Sequence, residues 1–107
     1  MFNINDYLRE TRHVRTMRDG TKVEDIRPRV VCEDGYSVSV QASRSHYCSP
    51  REDGAVEYES VELGFPTAED ELINEYAEDD NYTDTVYGFV PVEIVNKLIE
   101  KHGGIKK

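Results

Sequence analysis

The sequence predicts a single α+β domain over residues 1–107, a small antiparallel sheet with an N-terminal helix and two C-terminal helices. Three observations predict it. Ile4, Tyr7 and Leu8 recur at helical spacing, an Asp34-Gly35 pair separates two alternating segments, and Val92, Val95 and Ile99 repeat along one face between Pro91 and Gly103-Gly104.

In chain order, Asn3 stands where an N-cap is expected, with Asp6 in the first turn and Arg12 near the end of a short helix over residues 4–12. Residues 12–18 alternate basic side chains with Val14 and Met17, and Asp19-Gly20 then marks a turn before residues 21–26, which read as a strand or an extended arm. Residues 28–32 and 36–43 form the clearest hairpin. With a two-residue Asp34-Gly35 loop, Val31 faces Val38 and Glu33 faces Tyr36, so that Tyr36, Val38, Val40 and Ala42 share the core face. Ser37, Ser39, Gln41 and Ser43 take the other face.

Residues 56–63 are a third strand whose blurred alternation predicts a bulge, ended by Gly64-Phe65-Pro66. Thr67 and Asp70 resemble a capping box ahead of Leu72, Ile73, Tyr76 and Ala77, which predicts an acidic helix. A polar loop over 78–85 leads to a short strand over 86–90 containing Gly88, and Pro91 opens the last helix. There Val92, Val95, Ile99 and His102 define one face, Ile94 and Leu98 widen it, and the two glycines supply the stop.

The charge narrows the function classes. The chain carries 13 Lys+Arg against 22 Asp+Glu, a formal charge of −9, which is the wrong sign for holding free duplex DNA. At 107 residues it is also too short for separate cofactor and substrate lobes. The charge is uneven: residues 1–51 hold eight Arg and one Lys against seven acids, whereas residues 52–107 hold four Lys against fifteen acids. Between Glu52 and Asp84 lie thirteen acids and no Lys or Arg, interleaved with Tyr58, Val61, Leu63, Phe65, Leu72, Ile73, Tyr76 and Tyr82. Such anchors predict a folded acidic face rather than a disordered tail. Solvation alone accounts for an acidic face, but a concentrated negative surface also speeds association with an Arg/Lys-lined groove. The candidate partner-binding acids are Asp34, Glu69, Asp70, Glu71, Glu78, Asp79, Asp80 and Asp84.

The start of the chain lacks the basic and apolar regions of a signal peptide, and no run of about 18 apolar residues is present, so a cytoplasmic protein without a membrane partner is expected. Cys32 and Cys48 are then expected as thiols. One enzyme-like cluster stands out, His46-Tyr47-Cys48-Ser49-Pro50-Arg51, with Cys48 as a nucleophile and His46 as its base. Adjacent positions do not by themselves bring thiol and imidazole together, and no supporting motif accompanies them, so no enzyme is expected. His13, His46, His102, Cys32 and Cys48 lack zinc-ligand spacing, and no phosphate-binding glycine loop exists, so neither metal nor cofactor is expected. An alternative nucleotide pocket, able to sequester an immune signal, draws on Gln41, Arg44, His46, Tyr47, Arg51 and Tyr87.

The opening Asn3-Ile4-Asn5-Asp6-Tyr7-Leu8-Arg9-Glu10 resembles the start of the small acidic anti-CRISPR proteins of prophages that block the type II-A effector nuclease. The resemblance extends to the Asp-Gly hairpin in Arg29-Val30-Val31-Cys32-Glu33-Asp34-Gly35 and to the acidic tract Asn74-Glu75-Tyr76-Ala77-Glu78-Asp79-Asp80. It implies a phage anti-defence protein that mimics the short duplex motif read by the nuclease in the host cytoplasm. It further implies that Asp34, Glu78, Asp79 and Asp80 face the arginines that otherwise read base edges, carboxylate standing in for base.

Overall fold

The computed structural model describes residues 2–106; Met1 and Lys107 lie outside the described residues. Helix α1 spans Ile4–Glu10, capped by the Asn3 side chain, which accepts from the Asn5 N–H at 2.9 Å. A second unsatisfied donor at that end, the Ile4 N–H, reaches the Asn96 Oδ1 at 2.8 Å from the C-terminal helix. The arm after α1 is a hairpin, β1 (Val14–Thr16) paired antiparallel with β2 (Lys22–Glu24) around Asp19-Gly20.

The main sheet is antiparallel with strands in sequence order: β3 (Val30–Val31), β4 (Ser37–Gln41), β5 (Ser60–Gly64) and β6 (Val86–Pro91). Val30 opposes Val38, Val40 opposes Leu63, and Leu63 opposes Tyr87, so one face carries a continuous apolar row with at most 1% exposure. Ile4 and Leu8 of α1 join it in a single buried cluster with Val95, Leu98 and Ile99 of α2 (Val92–Lys101). The opposite face of β4, which carries Ser37, Ser39 and Gln41, is also largely covered. Ser37 and Gln41 are buried, Ser37 under Thr67 and Arg29 and Gln41 against the Arg27 backbone.

Four sequence expectations are corrected. The hairpin register is shifted by one residue: Gly35 N–H bonds Cys32 C=O at 3.0 Å and Gly35 has φ of 94°, a type I turn with a glycine bulge, giving a three-residue loop. Val30 therefore faces Val38, and Val31 is exposed. The extra residue of the β5–β6 pair sits in β6 at Gly88-Phe89, across from Glu62, not in β5. Pro91 is the N-cap of α2 rather than inside its first turn.

The acidic stretch after Pro66 forms no α-helix. It makes turns and one 3-10 turn over Asn74–Tyr76, leaving one C-terminal helix instead of two. Thr67 caps strand β4 through the Ser37 N–H, and the Asp70 carboxylate binds the Leu72 N–H at 3.0 Å, competing locally with a helix. The acids Glu69, Asp70, Glu71, Glu75 and Glu78 have no Lys or Arg within the same segment to offset their repulsion.

The C-terminus closes the free side of the hairpin. After α2, Gly103 and Gly104 adopt positive φ, and the chain returns along β3, with Glu33 N–H on Gly104 C=O and Lys106 N–H on Val31 C=O.

Candidate functional site

The acidic tract is pinned at its apolar anchors. Ile73 is fully buried, Glu78 N–H bonds Val86 C=O at 3.0 Å, and the buried Tyr87 donates its hydroxyl to the Tyr82 carbonyl at 2.5 Å. Asn81 closes the turn, donating its N–H to Asp79 Oδ1 and accepting from the Asp84 N–H. Between these anchors Glu69, Glu71, Glu78, Asp79, Asp80 and Asp84 are exposed, and none lies within ion-pair distance of a Lys or Arg among the described residues. Asn74, Ala77, Glu78, Asp79, Asp80 and Tyr82 line a shallow depression of about 210 Å³. The Asn81 N–H, then the neighbouring Asp80, hold the Asp79 carboxyl below its ordinary range.

The basic residues of the N-terminal half are largely spent on local pairs: Arg9 with Asp6, Arg15 with Asp25, Arg27 and Arg12 with Glu24, and Arg44 with Asp53. Of these pairs Arg44–Asp53 alone joins residues 1–51 to residues 52–107, and it does not involve the acidic tract. Glu69, Glu71, Glu78, Asp79, Asp80 and Asp84 keep their charge toward solvent.

Asp34 and Asp70 differ from the other candidate acids. Both hold His102, whose Nδ1 is 2.6 Å from Asp34 Oδ2 and whose Nε2 is 3.0 Å from Asp70 Oδ2, while Lys101 Nζ lies 3.1 Å from Asp70 Oδ2. The Asp70 side chain is 3% exposed, so it supports the surface from beneath, whereas Asp34 remains half exposed at the hairpin tip. Desolvation works against charge on His102, but the hydrogen bonds its ring donates to the two carboxylates prevail and raise its pKa. Burial likewise opposes the Asp70 charge, and the Leu72 N–H, His102 and Lys101 outweigh it and lower that pKa.

The six alternative pocket residues do not converge. Gln41 is bonded to the Arg27 backbone, Tyr87 lies in the core, Arg44 is beside Asp53, and His46 bonds the Ser43 hydroxyl at 2.7 Å. Tyr47 and Arg51 meet, the guanidinium 5.3 Å from the ring centroid, next to exposed Phe89. Cys48 Sγ points at the Ser43 and Pro50 carbonyls, and burial raises its pKa, which suppresses the thiolate a nucleophile needs. Both cysteines are free and buried, and burial and then Asp34 push the Cys32 thiol up to about 11.

Sequence reasoning did not identify the arginine cluster beside α1. Arg9, Arg12 and Arg27 line a cavity of about 290 Å³ together with Leu8, Ala55, Val56 and Tyr58. Their spacing reads as a scattered basic arm, and only the return of residues 54–58 across α1 brings them to one wall. Among the described residues no group of three or more His, Cys, Asp or Glu side chains is placed to hold a metal ion, and no helix is long and apolar enough to cross a membrane. Comparison with family models, curated proteins and solved structures returned no match.

Proposed function

We propose that the chain is a non-enzymatic inhibitor that binds the basic nucleic-acid groove of a nuclease through its acidic surface and excludes the target DNA. The observation that carries this reading is the anchored set of exposed acids Glu69, Glu71, Glu78, Asp79, Asp80 and Asp84, none within ion-pair distance of a Lys or Arg among the described residues, on a folded base. A solvated tail would present the same charge without fixed spacing. Here the turn at Asn81 and the β6 contact at Glu78 fix the positions of Glu78, Asp79 and Asp80 before binding, which lowers the ordering cost on association. Carboxylates at set separations present planar acceptor pairs to arginine forks, as phosphates and base edges do. In the reading implied by the anti-CRISPR resemblance, the partner is a CRISPR effector nuclease of the host cytoplasm, and Asp34 adds to the contact from the hairpin tip.

The test is capture from host lysate by wild type beside an Asp79→Lys, Asp80→Lys variant, washed at low and at high salt. Salt-sensitive capture of a nuclease by wild type alone, with loss of its DNA binding, is the expected result. Equal capture by both forms removes these two acids from the mechanism.

A further inference from the structure

A separate site lies on the basic half of the molecule. Arg27 and Arg12 both approach the Glu24 carboxylate, Arg27 Nη2 at 2.9 Å from Oε1 and Arg12 Nε at 3.6 Å from Oε2. Two guanidinium groups thus share one carboxylate, and one positive charge is left over. Arg27 is 2% exposed and has its donors occupied by Leu8 C=O, Ala42 C=O, Thr11 Oγ1 and Glu24, so the surplus falls on Arg12.

Arg12 is built into the cavity wall, and its ion pair with Glu24 is the longer of the two that carboxylate makes. Its distance to Glu24 exceeds direct hydrogen-bond length, and its side chain is 40% exposed. The guanidinium lies over the backbone of Gly54, where a Cβ would stand 2.6 Å from Arg12 Cζ, so glycine at this position creates the seat. The rest of the cavity is mixed: Leu8, Ala55, the Tyr58 ring and Val56, which is 84% exposed, form its apolar part, and Asn5 and Arg9 add polar side chains already bonded, Asn5 to the Tyr58 backbone and Arg9 to Asp6 and the Val56 carbonyl. A cavity of about 290 Å³ is at the small end of ligand sites.

We propose that this cavity binds a small anion with an apolar or aromatic body, the charged group on Arg12 and the body against Leu8, Ala55 and Val56. A carboxylate and a phosphate monoester share this chemistry. The site is independent of the acidic surface.

The test titrates the full chain with benzoate, phenyl phosphate and inorganic phosphate, following the backbone amides of residues 54–56 by NMR. Saturable shifts there are expected for benzoate or phenyl phosphate at millimolar concentration, and which of the two binds more tightly assigns the anionic group. Inorganic phosphate, lacking a body, is expected to bind more weakly. Arg12→Gln should weaken binding at least roughly tenfold, because a charged hydrogen bond is lost, while Arg18→Gln, with the same charge change on an exposed residue, should not. Three results overturn the proposal: no saturable shift at 54–56 with either organic probe, inorganic phosphate binding as tightly as both, or equal weakening by the two variants.

Discussion

The His102 imidazole lies flat on the Tyr36 ring, centroids 3.9 Å apart and planes 6° from parallel, with Asp34 and Asp70 on its two nitrogens. This clamp joins the end of α2, the hairpin tip and the acidic tract. Because the folded pKa of His102 is raised above 6.5, its contribution is complete below that value and is lost as pH rises through the folded pKa. The carboxyls of Asp34 and Asp70 are lowered from 3.8, so theirs is complete above that value and is lost as pH falls through the folded pKa values. The clamp is therefore strongest between 3.8 and 6.5. Melting temperature should fall as pH rises above 6.5 in wild type, and His102→Gln should flatten that limb. An identical slope in both proteins would place the pH dependence elsewhere.

The Arg27–Glu24 pair holds α1 to the sheet. Arg27 binds the Leu8 carbonyl, one of the last four of the helix, at 2.8 Å and the Ala42 carbonyl beyond β4 at 3.1 Å, while both paired side chains are 2% exposed. Arg27→Met leaves a buried carboxylate with Arg12 as its remaining cation and should cost about 3–5 kcal/mol in urea unfolding. Removing both charges with Glu24→Leu should recover part of the loss. Full recovery is not expected, because the Leu8 and Ala42 carbonyls stay buried without the guanidinium.

Phe89 is half exposed at φ of 53°, a conformation that costs a side chain with a Cβ about 1–2 kcal/mol. It holds the β6 bulge, where its N–H leaves the ladder and bonds the Tyr47 carbonyl at 3.0 Å. Phe89→Gly and Phe89→Ala both remove the contact with the Tyr47 ring. The glycine variant should be the more stable of the two by about 1 kcal/mol in denaturant midpoint analysis. Equal stabilities would mean that the bulge relaxes to negative φ.

The legible parts of the fold were those fixed by local chemistry. Asn3 as a cap, the alternation of Val38 and Val40, and the stripe of Val95, Leu98 and Ile99 ended by Gly103 each need only near neighbours in sequence. Residues 67–77 were misread because Thr67 and Asp70 satisfy a capping pattern while their side chains bind the Ser37 and Leu72 amides. The hairpin tip was one residue out because Asp34-Gly35 serves two turn types equally well, and the C-terminal segment running along β3 favours neither from sequence alone. Of the candidate site, the charge of the acidic tract was legible, but not the burial of Asp70 or the cavity at Arg12, since both depend on contacts between residues distant in sequence.

The acidic surface should give folding and binding opposite responses to salt. At a formal charge of −9, with Glu78, Asp79, Asp80 and Asp84 unpaired, the folded chain repels itself, and screening relieves that repulsion. Urea unfolding midpoints should therefore rise with sodium chloride in wild type. The Asp79→Lys, Asp80→Lys variant places two cations beside Glu78 and Asp84, so its midpoint should rise less. The substitution also breaks the Asp79–Asn81 turn bond, which limits any gain and should keep the two proteins within about 0.5 kcal/mol at high salt. Capture of a basic partner should weaken over the same salt range, since each carboxylate–guanidinium contact is screened as the repulsion is. A wild-type midpoint that falls with salt would show that attractive pairs such as Lys101–Asp70 outweigh the exposed acids, and the tract would then be neutralised within the fold rather than held ready for a partner.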